Sequence, residues 1–333
     1  MAHPTSDTAI QRPDLGVLVE EYMQEDQALM GFIGTKVMPI MPVAKQTASY
    51  PVMPKEVMLK MHTTKRAMRG KYPRSDFEWE EGFYSTSENG WEEAVDDRER
   101  KLYGSKFDAE AVAVKRATNI ILRGQEKRVA DMIFNDSNFT ANSITNEWDD
   151  ATNATPLDDI ATGKSSIRSA CGILPNVLII AYSTYLNLKR VDQIIDLIKY
   201  TFPGQDINRM SLQQLAQILD VPEVMVGGAV YDSAKKGQDA SIADLWSSEY
   251  AMLTKISSSM DLTEPCIGRT FLWTEESGGG HIVESYREEE IRGDVIRVRH
   301  DTGEALIASR DSDLAIKSNL STACSYLFEN ITS

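Results

Sequence analysis

The stretch "SKFDAEAVAVKRATNIILRGQEKRVADMIFN", Ser105 to Asn135, limits the fold more than any other. Phe107, Ala111, Val114, Ile121, Val129, Met132 and Ile133 recur at helical spacing. Ser105 with Asp108 three residues on is a capping-box-like start. One helix over about 106–134 is expected, roughly 43 Å long at ~1.5 Å per residue. Gly124 lies inside it and costs about 1 kcal/mol relative to alanine, which predicts a kink or a close packing contact there. A helix that long exceeds the usual globular length. It reads as a spine.

The segments before the spine are polarised in charge. From Lys45 to Arg74 there are eight basic residues (Lys45, Lys55, Lys60, Lys65, Arg66, Arg69, Lys71, Arg74) against one acid, Glu56. From Asp76 to Arg100 ten acids face only Arg98 and Arg100. The basic strip also carries Pro51, Pro54 and Pro73 and strand-like alternation in "ASYPVMP", so a long β-ribbon or loop is expected rather than a packed core. A solvated face is the ordinary meaning of a charge run. Two adjacent runs of opposite sign also suit a basic ribbon lying on the acidic surface of a neighbouring copy.

After the spine comes "PLDDIATGKSSIRSACG", whose Gly163-Lys164-Ser165 matches the end of a phosphate-binding loop. The surrounding residues argue against that use. Thr155, Pro156 and Asp158 form a helix start, with Thr155 as the cap and Pro156 at the first helical position. Ile160, Ile167 and Ala170 continue a helical stripe, which puts the tripeptide in a helix interior, where backbone N–H groups are already bonded. The full motif also needs glycine where Asp158 stands, and a preceding strand where "NEWDDATNATP" is polar. A nucleotide-dependent enzyme using Lys164 is the disfavoured alternative.

The pattern then alternates. "NVLIIAY" is a buried strand, "YLNLKRVDQIIDLIKY" a helix through Val191, Ile194, Ile195 and Ile198, and "SLQQLAQILD" a second helix through Leu212, Leu215 and Leu219. "VPEVMVGGAVY" returns as strand, with Gly227-Gly228 at a bulge or strand end. From His281 the tail is mostly strand. The chain is expected to run extended arm, β-ribbon, acidic segment, spine, α/β domain and returning strands.

Composition closes off several function classes. The net charge of -15 over 333 residues disfavours a dedicated nucleic-acid binder but not a protein that surrounds nucleic acid without gripping it. No apolar run approaches the roughly 18 residues of a membrane span, and the first residues lack the basic-then-apolar pattern of a signal peptide. Cys171, Cys266 and Cys324 are far apart and odd in number, as reduced, partly buried thiols would be. The four histidines (His3, His62, His281, His300) have no ligand spacing, and His62 and His281 are expected in exposed loops. Trp246 and Trp273 read as core or interface aromatics. The paired acids look exposed, whereas a catalytic carboxylate is usually buried. No catalytic, cofactor-binding or metal residue is nominated.

Taken in order, the segments resemble the major capsid proteins of tailed bacteriophages. The likeness rests on "TTKRAMRGKYPR" followed by "FYSTSENGWEEAVDDRER", on "GQEKRVADMIFN", on "WDDATNATPLDDI", on "VMVGGAVYDSAKKGQ" followed by "DLWSSEYAML", and on "VESYREEEIRGDVIRVRH". It covers about Val43 to Thr332. The resemblance implies an α+β Johnson fold, shared with herpesvirus shells. Its parts would be an N-terminal arm (1–43), an extended β-loop (44–76), a peripheral domain (77–154 and 282–333) with the spine, and an α/β axial domain (155–281). It also implies hexamers and pentamers of an icosahedral head, assembled in the host cytoplasm, that expands as double-stranded DNA is packaged. Scaffolding, portal and decoration proteins are the implied partners. No scaffolding-type segment precedes the arm, so a separate scaffolding protein is expected. On this reading Lys55, Lys60, Lys65, Arg66, Arg69 and Lys71 meet acids such as Glu80, Glu81, Glu92 and Glu93 of an adjacent copy. A nanocompartment shell of the same fold, enclosing protein cargo, is the near alternative.

Overall fold

The spine is a 25-residue helix, Ala109–Ile133, in a computed structural model that describes residues 9–52, 59–76, 80–104, 108–201, 210–262, 264–278, 280–307 and 324–332. Its cap is Asp108, whose carboxylate accepts the Glu110 N–H at 3.0 Å. The expected cap, Ser105, lies outside the described residues. Val114, Ala117, Ile121, Leu122, Gln125, Val129 and Ile133 form the buried stripe. Gly124 causes no close approach: a Cβ there would meet only the Arg128 guanidinium, at 3.7 Å.

The two halves of the spine serve different sheets. Val114, Ala117 and Ile121 pack on Val95, Val283, Ile296 and Val298 of the first sheet. That sheet is centred on the long strand Gly293–Leu306, which pairs antiparallel with Ile282–Glu288, Ser87–Asp96 and Gly268–Trp273. Ile40–Val43 adds in parallel to Gly268–Trp273, and Ile10–Gln11 pairs with Ile282–Glu288 at the other end. The second sheet runs Ala141–Ser143, Ser325–Glu329, Ala251–Thr254, Val177–Ala181, Glu223–Gly227. Val129, Ala130 and Ile133 enter the core on one of its faces with Val177, Ile179 and Trp246. Leu178 and Ile180 of the same strand face the opposite core, among helices Pro156–Cys171, Asp192–Thr201 and Leu212–Ile218. A strand covered on both faces has no polar side, which is why "VLIIA" shows no alternation.

Several elements depart from the sequence reading. The arm is not simply extended: Pro13–Met30 is an 18-residue helix that buries Leu15, Val19 and Tyr22, an i, i+4, i+7 stripe. "YLNLKRVDQIIDLIKY" holds two helices, Tyr182–Leu188 and Asp192–Thr201. Thr155 makes no side-chain cap; its carbonyl accepts the Asp158 and Asp159 N–H groups, and Pro156 begins the helix. That helix ends at Gly172, which takes the left-handed conformation (φ 73°) that glycine adopts without penalty. Cys171, Cys266 and Cys324 are free and buried. Among the described residues, no helix is long and apolar enough to cross a membrane.

Candidate assembly surface

The basic strip leaves the body on a two-stranded ribbon. Thr47–Val52 pairs antiparallel with Glu80–Ser85, in the register Thr47↔Ser85 to Val52↔Glu80. Tyr84 stacks on Phe271 at 4.3 Å between ring centroids, and Tyr50 lies 5.7 Å from the same ring. Gly82 faces Tyr50 so closely that a Cβ would fall 2.5 Å from its ring. Residues of the ribbon's base thus join a small core with Val52, Cys266 and Ile307. The base is packed, and the described residues beyond it, 59–76, are not buried.

From Leu59 to Asp76 nearly every residue is exposed. Met61 and Met68 are 95% and 98% exposed, an apolar display that nothing in this chain covers among the described residues. Arg66 organises the tip. Its Nε donates to the Gly70 carbonyl at 2.6 Å, and its guanidinium lies 4.6 Å from the Tyr72 ring centroid. Arg69 sits at φ 61° in the turn between. Lys60, Lys65, Arg69 and Lys71 form no ion pair with any described residue. Lys55 lies outside the described residues.

The four acids named beside these bases do not form one surface. Glu80 and Glu81 stand on the returning strand of the same ribbon, opposite Val52 and Pro51, and Glu81 is exposed. Glu92 and Glu93 are adjacent in strand Ser87–Asp96, so their side chains leave opposite faces of the sheet. Glu92 pairs across the ladder with Arg297, at 2.7 Å. Glu93 turns toward the spine, accepting the Trp91 indole N–H at 3.0 Å, with Arg116 at 3.5 Å. Both are engaged within their own subunit. The alternation that separates them was readable in "SENGWEEAVD"; the acidic composition masked it.

Two further placements settle sequence questions. Gly163 packs against Phe328, Leu253 and Tyr326, where a Cβ would sit 3.0–3.3 Å from their side chains. Lys164 donates to the Leu219 carbonyl at 3.0 Å, to the Asp220 carbonyl and to the Asp220 carboxylate at 2.9 Å. The tripeptide is helix packing and a cap for a neighbouring helix end. Sequence reading missed Glu126, which is 3% exposed on the spine. Its carboxylate accepts the N–H groups of Ile33 (2.9 Å) and Gly34 (2.7 Å) and the Trp246 indole N–H (2.7 Å). Burial raises its pKa, and the three donors oppose that rise. Its only sequence signal is a charge lying on the apolar stripe beside Leu122 and Val129. Among the described residues, no group of three or more His, Cys, Asp or Glu side chains is placed to hold a metal.

The architecture has known counterparts. No family model matches the sequence. A major capsid protein of Burkholderia phage BcepMu is 30% identical over 250 residues, which cover 72% of this chain and 77% of that one. A phage-related protein from Bordetella bronchiseptica RB50 superposes with a TM-score of 0.69 at 22% identity, over 97% of this chain and 98% of that one. The capsid structure of cyanophage P-SCSP1u superposes at 0.54 with 11% identity, over 89% and 87%. The fold is therefore the Johnson fold of phage capsids, an α+β architecture with arm, extended β-loop and spine. Identity at this level over most of both chains, together with that shared fold, makes this chain a member of the bacteriophage major capsid proteins.

Proposed function

We propose that copies of this chain close into hexamers and pentamers of an icosahedral head around double-stranded DNA, each extended loop lying across the next subunit. The observation that carries the contact is the tip from Lys60 to Lys71. It presents Lys60, Lys65, Arg69 and Lys71 with no ion partner among the described residues, beside the uncovered Met61 and Met68. Lys55 belongs to the same basic strip, and Arg66 shapes the turn. The receiving acids include Glu81 with Glu80; Glu92 and Glu93 contribute only by exchanging their internal partners. Each exposed ion pair is worth about 0.2–1 kcal/mol, so the contact works by number and weakens with salt. Head-to-tail contacts of this kind close into rings when the rotation permits.

The arm then spans 1–43, the loop 44–76, the peripheral domain 77–154 and 282–333, and the axial domain 155–281. The work of the chain is structural rather than enzymatic, carried out in the virion after assembly in the host cytoplasm, with separate scaffolding, portal and decoration proteins. The net charge of -15 suits a wall that does not adhere to packaged DNA.

The test is a triple reversal, Lys65→Glu, Arg66→Glu and Arg69→Glu, imaged by negative stain across a salt series. Wild type is expected to form closed shells that diminish as salt rises, and the variant to form none at low salt. Closed shells from the variant at low salt would overturn the loop contact. Particles of wild type filled with a co-purifying protein instead of DNA would replace the phage head with a nanocompartment.

A further inference from the structure

A cleft of about 570 Å3 lies between the N-terminal helix Pro13–Met30 and the first sheet. Val17, Val19, Met23 and Ile282 supply apolar walls. Its polar lining includes His281, His300, Gln125 and Thr302. His281 directly precedes the ladder that begins with Ile282↔Arg299, which brings it beside His300, the residue after Arg299. Their ring centroids are 4.7 Å apart. His300, Gln125 and Thr302 are 2–3% exposed. Yet Nε2 of each ring, Nε2 of Gln125 and Oγ1 of Thr302 have no hydrogen-bond partner among the described residues. His281 lies in the irregular stretch just before strand Ile282–Glu288, as a loop residue would, but it is half-buried rather than exposed.

Among the described residues, no charged group around the pair bonds to either ring. From the N-terminal helix, Glu20 lines the cleft, while Arg12 before it is committed to Asp14 and Glu110. From the spine, Arg128 faces His300 and repels a second positive charge, its own partner being Glu304. Glu126 is turned away, to Ile33, Gly34 and Trp246. Glu276 of the short helix Thr274–Ser277 and Glu284 of the sheet are held by Arg299, and Asp301 points to the other face of its strand. No carboxylate bonds to either ring among the described residues.

We propose that His281 and His300 form an acid-sensitive latch, seating the N-terminal helix on the sheet while both rings are neutral and expelling it once they are protonated. The helix is the part that yields. The strand that carries His300 and the one that follows His281 are tied by continuous ladders, Ile282–Glu288 to Gly293–Leu306 and on to Ser87–Asp96. Among the described residues the helix is held by Leu15, Val19 and Tyr22, by the Arg12 contacts and by the short pairing of Ile10–Gln11 before it, and lifting it lets water reach the Nε2 atoms of both imidazoles. Burial holds His281 down at about 4. Burial, then repulsion from His281 and Arg128, holds His300 down at about 3. Both lie below the ordinary value of 6.5, so the seated state is fully favoured above that pH and is lost as pH falls from 6.5 through the depressed values. This device is independent of how the extended loop docks.

The experiment is hydrogen–deuterium exchange of the 13–30 segment in the full chain at pH 7.5 and pH 5.0, corrected for intrinsic exchange. The opening equilibrium is expected to rise about 30-fold per histidine, roughly 1,000-fold for the pair. The double variant His281→Gln, His300→Gln should lose that increment. An equal increment in the double variant, or none in wild type, overturns the latch. Should the double variant not fold, histidine C2–H exchange of wild type decides. Both rings titrating below the ordinary 6.5 supports the latch, and either titrating at or above it refutes the proposal.

Discussion

Trp246 donates its indole N–H to Glu126 at 2.7 Å, across 120 residues of chain. The same carboxylate fastens the turn after the N-terminal helix by accepting the Ile33 and Gly34 N–H groups. Gly34 is required there, because a Cβ would lie 2.6 Å from the Glu126 carboxylate. One buried side chain thus joins the arm, the spine and the segment after strand Ile242–Asp244, where three parts of a shell subunit meet. A buried carboxylate without donors would be costly; with three it becomes a fastening.

Glu126→Gln keeps the volume and removes the charge, but turns an amide N–H₂ toward at least one N–H that needs an acceptor. A loss of about 1–3 kcal/mol is expected, the cost of an unsatisfied buried donor. Thermal unfolding of variant and wild type in the same assembly state measures it. A variant as stable as wild type would show that the junction does not depend on the carboxylate.

Two glycines should respond with opposite signs. At Gly227 a Cβ would fall 2.3 Å from the Trp246 ring, so Gly227→Ala must displace a fully buried indole and is expected to cost about 1–3 kcal/mol. Gly124→Ala adds a methyl group to open space in the spine and should gain up to about 1 kcal/mol. Urea midpoints of the two variants compare them directly.

Glu264 predicts an acid dependence separate from the histidine latch. Burial pushes its pKa up, but hydrogen bonds from Ser257, Ser259 and Lys255 outweigh this and hold it at about 2, against an ordinary 4.5. The folded value is depressed, so its stabilisation is present above pH 4.5 and is lost as pH falls toward 2. The difference is worth roughly 3 kcal/mol at neutral pH. Glu264→Gln should therefore be destabilised at pH 6, with the gap to wild type narrowing below pH 4.5 and closing near pH 2, read as the difference between the two unfolding curves.

Lys164 carries the residual enzyme reading. Because its ammonium caps the Leu219 and Asp220 carbonyls, Lys164→Met is expected to cost about 1 kcal/mol in stability. Isothermal titration of wild type with ATP and magnesium is expected to show no binding; saturable heat abolished in the variant would restore a nucleotide site.

What the amino-acid order determined by itself was everything that repeats along the chain. The stripe from Val114 to Ile133 announced the spine, "VLIIA" a strand buried on both faces, and Pro156 a helix start, since each depends on neighbours within a turn or two. The opposed charge strips likewise marked a loop that stands off the body. Tertiary structure alone decided which polar groups lie in the dark. Glu126 became a buried junction because Trp246 and Gly34 arrive from distant segments. His281 met His300 at the end of a strand ladder, and Glu92 parted from Glu93 because a sheet has two faces. The physical reason is one of range: helix and strand periodicity is written in local sterics, whereas desolvation and charge pairing are set by residues that only folding brings near.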